Sequence, residues 1–383
     1  MNGMRTAREM NTEVPRVGVC RWLYPLAWLY GAGVWLRNKL FDWGCLRSER
    51  FDIPVICVGN LAVGGTGKTP HTEYLVRLLL RAGFRPATLS RGYRRHTRGF
   101  VLAGEGCDAR SIGDEPMQMR LKFPGIRVAV DEDRRRGIRL LSDMDHPKTD
   151  VILLDDAFQH RYVRSGLNIL LTDYHRLFSE DALMPAGRLR EPASGRKRAD
   201  VVVVTKCPDH MEPDCMAGVA ARLRLRPDQR LYFSTLRYGG LYPLYPEGRN
   251  VPQEITADTQ VLLLTGIASP AALERQLRRS TEQVSVLSYA DHHDFAEKDL
   301  NHVKERFRRL QARHKLIVTT EKDAARLAGH PGVDGELRPY VSVMPVEVDF
   351  LQDKQSFNQN ILDYVRTDTR NSRISETENA HPS

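Results

Sequence analysis

The sequence predicts an α/β fold with a doubly wound, mostly parallel sheet and a smaller C-terminal α/β lobe. Short apolar runs alternate with helical patterns along most of the chain. Several of these runs are apolar throughout, which is typical of parallel strands covered on both faces. The chain has 383 residues, more than one hydrophobic core usually supports, so we expect two lobes.

The elements of the first lobe follow from these runs in chain order. The first predicted strand covers residues 53–58, and a glycine-rich segment separates it from a helix predicted over residues 69–82. Further strands are predicted over residues 86–90, 127–130, 151–154, 168–172 and 201–205. In a doubly wound sheet, ligands bind at the carboxyl ends of the strands.

A second lobe is predicted where the composition changes, near residue 225. Extended structure is expected from residue 230 to 236, and a stretch rich in Tyr, Gly and Pro follows up to residue 252. The alternation of strands and helices then resumes, with strands predicted over residues 261–265, 284–288 and 315–319.

The glycine-rich segment after the first strand has the composition of a phosphate-binding loop. Its backbone N–H groups can converge on a phosphate at a helix N-terminus. Lys68 is expected to reach the β- and γ-phosphates, and the Thr69 hydroxyl to ligate Mg²⁺. Ala62 stands where the strict pattern has its first glycine. The residues predicted to bind the nucleotide are Gly64, Gly65, Thr66, Gly67, Lys68 and Thr69. The sheet is therefore expected to be of the P-loop NTPase type.

Two adjacent carboxylates, Asp155 and Asp156, end the strand predicted over residues 151–154. A phosphate-loop enzyme places its second metal-associated carboxylate at such a strand end. Two neighbouring carboxylates are unfavourable without a cation, which favours Mg²⁺ there. Either aspartate can be the direct ligand, and the alternative is an aspartate that only caps the next helix.

Charge and cysteine usage limit the class of protein. The net charge is +9 with a pI near 9.3, which suits an anionic partner such as a nucleic acid, a phospholipid or a phosphorylated substrate. The six cysteines show no C-x-x-C spacing. This pattern favours a reduced cytosolic protein without a structural zinc site.

All the tryptophans of the chain lie between residues 22 and 43, in and just after an uncharged run over residues 22–36. A helix of that run would cover about 22 Å, short of the roughly 30 Å hydrocarbon core, so a spanning helix is not expected. Tryptophan beside basic residues favours a helix at the membrane interface. The alternative is an N-terminal helix packed into the core.

These observations divide the chain into five predicted segments. They are a disordered N-terminus (1–15), an interfacial membrane helix region (16–48), a P-loop core domain (49–224), the smaller α/β lobe (225–366) and a disordered tail (367–383).

Seven motifs in a fixed order give the sequence a specific resemblance. In chain order they are the segment from Val58-Gly59-Asn60 to Thr69-Pro70, Ser90-Arg91-Gly92-Tyr93, Gly113-Asp114-Glu115-Pro116, Asp155-Asp156-Ala157-Phe158-Gln159-His160, Leu189-Arg190-Glu191-Pro192, Asp291-His292-His293 and Thr320-Glu321-Lys322-Asp323. Together they resemble the tetraacyldisaccharide 4′-kinase family of the lipid A pathway in Gram-negative bacteria. The resemblance covers roughly residues 20–365.

The resemblance implies transfer of the γ-phosphoryl group of ATP to the 4′-hydroxyl of a tetraacylated disaccharide 1-phosphate, with Mg²⁺ as cofactor. It also implies a peripheral enzyme on the cytoplasmic face of the inner membrane, bound there through its N-terminal helix. The expected partners are the lipid A disaccharide precursor and the anionic membrane surface. We expect neither nucleic acid nor an obligate protein partner.

Roles for individual residues are implied by the same resemblance. The proton-accepting base is expected at Asp114, working with His292, and Glu115 is expected to contact the metal through water. Arg134 is expected to contact phosphate. Arg190 and Glu191 are expected to recognise the disaccharide, with Gln159 near it. Arg91 follows a predicted strand and can also contact phosphate.

The sequence departs from the family pattern at Ala157, where the motif usually has glycine. If the backbone there needs a positive φ, alanine would be strained. The Glu321-Lys322-Asp323 segment matches the family, but its residues predict no more than a charged strand-to-helix turn.

The alternative function is a P-loop GTPase or a partition-type ATPase acting at a membrane surface. Residues 201–209 resemble a guanine-binding segment, but Asp209 falls one position late. A GTPase would also have glycine at the position of Phe158, and a partition ATPase would have an extra lysine near Val63. A basic nucleic-acid-binding protein is a further alternative, although only Tyr93 lies among arginines in the required way.

Overall fold

The structure, a computed structural model, describes residues 18–145, 147–267 and 269–379. The predicted disordered N-terminus, residues 1–15, lies outside the described residues, as do residues 380–383 of the predicted tail.

Each predicted strand has a counterpart among the described residues, and the structure adds short strands for which no prediction was made. In chain order they are β1 (Val55–Asn60), β2 (Pro86–Ser90), β3 (Val101–Leu102), β4 (Arg127–Val130), β5 (Val151–Asp155), β6 (Leu167–Asp173), β7 (Val201–Thr205), β8 (Arg230–Tyr238), β9 (Tyr242–Pro243), β10 (Gln260–Thr265), β11 (Val284–Ser288), β12 (Lys315–Thr320), β13 (Val341–Met344) and β14 (Val346–Phe350).

Helices connect most of these strands. In chain order they are α1 (Tyr24–Asp42), α2 (Lys68–Arg81), α3 (Ala109–Ile112), α4 (Asp114–Lys122), α5 (Arg134–Ser142), α6 (Pro213–Leu223), α7 (Ala271–Leu277), α8 (Glu297–Arg308), α9 (Glu321–Leu327) and α10 (Lys354–Asn379).

The chain forms two compact units that are not contiguous in sequence. The first comprises the described residues of Met1–Arg91, Ile126–Leu236 and Val348–Ser383, and the second comprises Gly92–Gly125 and Arg237–Glu347. This division differs from a single predicted boundary near residue 225. Residues 92–125 join the second unit and the C-terminal segment joins the first. A change of composition along the chain cannot show that a segment returns to an earlier unit.

The first unit contains a sheet in which the strands follow the order β14-β8-β7-β6-β1-β5-β2-β4. The neighbouring strands from β8 to β4 pair in parallel. Strands β1, β5 and β7 are buried along their whole length, as their continuous apolar sequences predict. Val58 of β1 pairs with Asp155 of β5, so the loop after β1 begins beside the acidic pair. The predicted doubly wound α/β class is confirmed.

The second unit contains its own sheet in the order β11-β10-β12-β13-β9. Its strands are parallel except β9, which pairs antiparallel with β13. One face packs Leu262, Leu264 and Ile317 against side chains of α8 and α9. The other face packs Val261, Leu263 and Leu316 against α7. The alternating pattern predicted after residue 260 therefore forms a separate α/β core.

Helix α1 carries Trp28 and Trp35, lies between Trp22 and Trp43, and leaves most of its apolar side chains exposed. Pro25 lies in its first turn, where a missing N–H costs nothing. Trp28 is 72% exposed and Leu29 is 74% exposed, whereas Ala27, Gly31 and Phe41 are buried. The tryptophans are therefore exposed, and the alternative of a helix that packs them into the core is wrong. No helix within the described ranges has the length and apolar content that a membrane span needs.

The C-terminal helix α10 extends from Lys354 to Asn379. Its N-terminal part packs on the first unit through Phe357, Ile361 and Val365, all buried. The predicted disordered tail from residue 367 onward therefore differs from the structure, in which helix continues to residue 379. Its polar composition predicts exposure but does not prevent helix from propagating beyond a packed start.

Candidate active site

The phosphate loop connects β1 to α2 in the first unit. Gly64 (φ +108°) and Gly67 (φ +82°) have left-handed backbone conformations that a side chain would strain. Gly67 is the N-cap of α2, so the helix begins at Lys68. The loop therefore presents its amides and a helix N-terminus together, the arrangement that binds phosphate.

Side chains and a neighbouring loop hold this conformation. Asn60 donates from Nδ2 to Thr66 Oγ1 over 2.8 Å, and Thr205 Oγ1 donates to the Thr66 carbonyl over 2.9 Å. Ala62 forms an antiparallel bridge with Leu189. Because its backbone is extended there, no glycine is required at the first position of the pattern.

Gly59 is needed for a different reason, the close approach of the segment after β5. A Cβ on Gly59 would lie 2.7 Å from Phe158 Cβ and 2.9 Å from its backbone nitrogen. Any larger residue would push this segment, which carries the acidic pair, away from β1. The glycine before Asn60 thus sets the distance between two motifs.

The two aspartates have different surroundings. Asp155 is buried and accepts a hydrogen bond of 3.1 Å from Thr72 Oγ1 of helix α2. Asp156 is more exposed, and its carboxylate lies 3.7 Å from Lys68 Nζ and 3.3 Å from Arg190 Nη1. The Lys68 and Arg190 side chains therefore converge on Asp156.

The strain anticipated at Ala157 does not occur at that residue. The positive φ falls on Asp156 (φ +48°), and aspartate tolerates this region better than most residues do. Non-glycine residues with such backbone angles concentrate at functional sites. Ala157 itself is buried, which a single methyl group permits.

The predicted metal ligands are oxygen donors of the kind Mg²⁺ prefers. Thr69 lies in the first turn of α2 and the two aspartates lie at the end of β5. Within the part of the chain that the structure describes, no group of three or more His, Cys, Asp or Glu side chains is arranged to hold a metal ion. A site with one or two protein carboxylates fits Mg²⁺ that is bound mainly through nucleotide phosphates and water.

Of the predicted substrate residues in the first unit, Arg190 and Glu191 point to different places. Arg190 contacts Asp156. Glu191 is 1% exposed and forms an ion pair of 2.7 Å with Arg198. Arg198 also lies over the Phe158 ring, 4.7 Å from its centroid. Glu191 therefore bonds the core beneath the site through one carboxylate oxygen, Oε2, and its contact with the disaccharide stays a prediction.

Gln159 and Arg134 are also held by the protein. Gln159 donates from Nε2 to the carbonyl of Asn60. Arg134 is buried and donates to the carbonyls of Asp131 and Glu132. Among the described residues, no partner bonds its Nε atom. Burial, with a contribution from Arg91, lowers the pKa of Arg134 to about 10. A buried guanidinium with an unused donor is suited to an incoming anion.

A second cluster, the His292 cluster, lies in the second unit and comprises Asp114, Asp291, His292, Lys322 and Arg326. Asp114 begins helix α4 after Gly113, which has φ +97°. His292 Nδ1 and Asp114 Oδ2 are 2.8 Å apart. His292 has φ +60°, a conformation that persists only when its surroundings fix it.

Arg326 of helix α9 supports the Asp114 carboxylate. It donates from Nη2 to Asp114 Oδ2 over 2.6 Å and from Nη1 to Asp323 Oδ1 over 2.9 Å. Asp323 is buried and also accepts from the Gly266 amide and from Thr320 Oγ1. Burial raises the pKa of Asp114, but the hydrogen bonds from Arg326 and His292 outweigh it and lower that pKa. Asp114 is thus held ionised.

Arg326 and Lys322 were not among the predicted site residues. Lys322 Nζ lies 2.9 Å from His292 Nε2. The Thr320-Glu321-Lys322-Asp323 motif could have indicated both residues. Lys322 belongs to the motif, and Arg326 follows Asp323 by about one helical turn. The motif that had no predicted role therefore builds the support of the His292 cluster.

Comparison with known proteins identifies the family. A sequence model of the family described as tetraacyldisaccharide-1-P 4′-kinase matches residues 19–366. This chain belongs to that family. The tetraacyldisaccharide 4′-kinase of Bacteroides thetaiotaomicron is 54% identical over 96% of this chain and 99% of its own. That of Bacteroides fragilis is 55% identical over 97% of this chain and 100% of its own.

A solved relative agrees in fold. The crystal structure of an "apo" form of LpxK from Aquifex aeolicus in complex with ATP has a TM-score of 0.70 and 28% identity, covering 90% of this chain and 98% of that one. The predicted family, enzyme class and activity are confirmed: a phosphotransferase for ATP-dependent 4′-phosphorylation in lipid A synthesis. The GTPase and partition-ATPase alternatives are not favoured.

Proposed function

We propose that this chain transfers the γ-phosphoryl group of ATP to the 4′-hydroxyl of a tetraacyldisaccharide 1-phosphate with Asp114 as the base, at the cytoplasmic face of the bacterial inner membrane. The observation that carries the residue assignment is the 2.8 Å contact between His292 Nδ1 and Asp114 Oδ2. A hydroxyl acceptor needs a group that accepts its proton, and the Asp114–His292 pair can do so. A nucleotide-binding switch has no acceptor hydroxyl and needs no such base.

Lys68 and the amides of the phosphate loop bind the nucleotide phosphates in this proposal. The Lys68 ammonium lies 3.7 Å from Asp156, so its positive charge is already directed to the end of β5. Transfer of a γ-phosphoryl group depends on positioning and charge neutralisation more than on covalent chemistry. The chain supplies both through the amides of the glycine loop and the N-terminus of helix α2.

Thr69 and one of the two aspartates would hold Mg²⁺. When bound, the ion would neutralise charge on the phosphate oxygens. Asp156 is the better placed of the two carboxylates, because Asp155 is buried and bonded to Thr72.

Asp114 accepts the proton of the sugar hydroxyl, and His292 works with it. The pKa of a sugar hydroxyl is far above 7, so a positioned base contributes about 10²–10⁴-fold. Burial and the hydrogen bonds from Arg326 and His292, taken together, lower the pKa of Asp114, so the carboxylate is ready to accept a hydrogen bond from the acceptor hydroxyl. Arg326 and His292 fix its orientation.

Basic side chains of the first unit would bind the anionic substrates. Arg190 Nη1 contacts Asp156, and no partner among the described residues bonds Arg134 Nε. Burial, together with the positive charge of Arg91, lowers the pKa of Arg134. Gln159 would lie near the disaccharide while its side chain supports β1. Glu191 would contact the disaccharide through Oε1, because Arg198 pairs with Oε2 and no partner among the described residues bonds Oε1.

Helix α1 would attach the enzyme to the membrane. Its exposed apolar residues include Leu26, Trp28, Leu29, Trp35 and Leu36, and Trp22 is exposed just before the helix begins. Aromatic side chains of this kind favour the region of the lipid head groups, and the net charge of +9 favours an anionic surface. A tetraacylated acceptor resides in a bilayer, so attachment brings the site to its substrate.

The test is an ATP-dependent phosphorylation assay on purified disaccharide 1-phosphate in mixed micelles, with the mass and position of the product determined. We expect one added phosphate at the 4′ position. GTP-specific hydrolysis that needs no lipid acceptor would overturn the assignment.

A further inference from the structure

The Lys322 side chain lies between two members of the His292 cluster. Its Nζ atom is 2.9 Å from His292 Nε2 and 3.2 Å from Asp291 Oδ1. Lys322 is the second residue of helix α9, directly before Asp323, which anchors Arg326. Helix α9 therefore supplies a contact to the His292 imidazole through Lys322 and a contact to the Asp114 carboxylate through Arg326.

The chemistry of these contacts fixes the state of the imidazole. An ammonium group has three donors and no acceptor, so His292 Nε2 must present its lone pair to Lys322. The ring hydrogen then lies on Nδ1, where it is donated to Asp114 Oδ2 over 2.8 Å. The partner of one ring nitrogen decides the role of the other.

We propose that Lys322 is a positioning residue that holds His292 as the neutral Nδ1–H tautomer, so that the ring donates to Asp114 throughout catalysis. The inference rests on the proposed function of Asp114 as base. The groups that face His292 are Asp114, Asp291, Lys322, Arg326 and the Tyr93 ring edge. Among them only Lys322 donates to Nε2.

The backbone of His292 gives this bond a second role. With φ +60° the residue has a conformation that its own side chain disfavours. The Lys322 bond at one ring nitrogen and the Asp114 bond at the other hold the ring at both ends. Without Lys322, the His292 ring that donates to Asp114 can change its orientation and its protonation state.

The decisive experiment combines nitrogen-15 NMR of the histidine rings with steady-state kinetics on the full-length enzyme. In the wild type, His292 should show one protonated nitrogen, Nδ1, and one with a free lone pair, Nε2. In Lys322→Met the Nε2 signal should move toward a protonated or mixed state. The kcat should fall on the order of 10- to 100-fold, part of what a positioned base contributes, while the KM for ATP stays unchanged.

Two comparison variants separate positioning from mere loss of a lysine. Lys322→Arg retains a donor and should keep the wild-type tautomer and most of the kcat. Lys304, on helix α8, forms an ion pair of 2.8 Å with Asp334. Lys304→Met removes that pair and should change neither the His292 signals nor kcat. If Lys322→Met does not fold, the wild-type spectrum still decides, because a hydrogen on His292 Nε2 overturns the proposal. An unchanged spectrum and kcat in folded Lys322→Met also overturn it. A normal His292 spectrum in an enzyme that does not phosphorylate the disaccharide would instead refute the proposed function.

Discussion

The hydroxyl of Tyr30 on helix α1 donates a hydrogen bond of 2.9 Å to the backbone carbonyl of Arg190. On the same helix, Arg37 donates over 2.8 Å to the carbonyl of Gln159, whose side chain donates to Asn60 at the end of β1. The amide of Arg190 in turn donates to the Leu61 carbonyl over 2.7 Å. The helix with the exposed tryptophans is thus bonded to both segments that flank the start of the phosphate loop.

Tyr30→Phe should weaken this connection without removing the ring. Loss of one hydrogen bond costs about 0.5–1.5 kcal/mol, which we expect to appear as a several-fold lower kcat/KM for the disaccharide. The KM for ATP should not change, because the loop amides remain in place. Tyr24→Phe is the control, since the Tyr24 ring pairs with Trp28 on the same helix. A raised KM for ATP with unchanged kcat/KM for the lipid would contradict the expectation.

Lys68→Met should reduce phosphoryl transfer by about 10²–10³-fold or more, because it removes a fixed positive charge from the phosphate site. The shape of the side chain is largely retained, so the thermal unfolding temperature should stay close to that of the wild type. Initial rates at saturating ATP provide the measurement. Lys197→Met, at an exposed position of the same unit, is the matched control and should keep full activity. Equal rates for the two variants would remove Lys68 from the site.

Asp114→Asn should lower kcat by about 10²–10⁴-fold, the range expected for loss of a base. Asparagine is close in size to aspartate but cannot accept the hydroxyl proton. Nucleotide binding, followed by calorimetry, should be retained, because the substitution leaves the glycine loop and Lys68 unchanged. Asp294→Asn removes an exposed carboxylate that pairs with Arg110 in the same unit and should have little effect. A nearly normal kcat in Asp114→Asn would exclude it as the base.

Local chemistry made the strands and the phosphate loop predictable, whereas the partners of charged side chains were not. The continuous apolar runs determine β1 and β5, and glycines mark the loop between strand and helix. Arg190 and Glu191 are neighbours in a sequence motif, yet one faces Asp156 and the other is buried against Arg198. Which of the two side chains is buried depends on Arg198, a residue whose role no local pattern reveals.

The same limit applies to the His292 cluster. Asp114 and His292 are separated by 178 positions, and only the family resemblance connected them beforehand. Arg326 was missed because a lone arginine in a helix usually lies on a solvated surface. Its burial depends on Asp323 and Asp114 together, which the sequence presents as unrelated charges.

His71 should make the stability of the first unit sensitive to acid. It is buried on helix α2, with Nδ1 2.7 Å from the Gly67 carbonyl and Nε2 3.0 Å from Ser234 Oγ. Burial lowers its pKa from 6.5 to about 4. The unfolded chain therefore binds a proton more readily, and the free energy of unfolding should fall as pH drops from 6.5 to about 4, by roughly 3 kcal/mol in total.

Chemical denaturation at several pH values tests this prediction. His71→Gln removes the titrating ring, so its free energy of unfolding should change less over that interval than that of the wild type. His175→Gln, at an exposed position of the same unit, should retain the wild-type slope. Parallel curves for wild type and His71→Gln would show that the acid sensitivity arises elsewhere.

The exposed face of helix α1 should determine binding to bilayers. Transfer of a large apolar side chain out of water contributes about 1.5–3 kcal/mol, so Trp28→Ser or Leu29→Ser should each weaken partitioning onto anionic vesicles about tenfold or more. Sedimentation with vesicles of phosphatidylglycerol and phosphatidylethanolamine measures this. Leu140→Ser is the control, because Leu140 is an exposed leucine on helix α5. Since the basic surface also contributes, raising the salt concentration should weaken binding of the wild type and the control alike. If Trp28→Ser and Leu29→Ser sediment like the control at every salt concentration, the exposed tryptophan face does not attach the enzyme to the membrane.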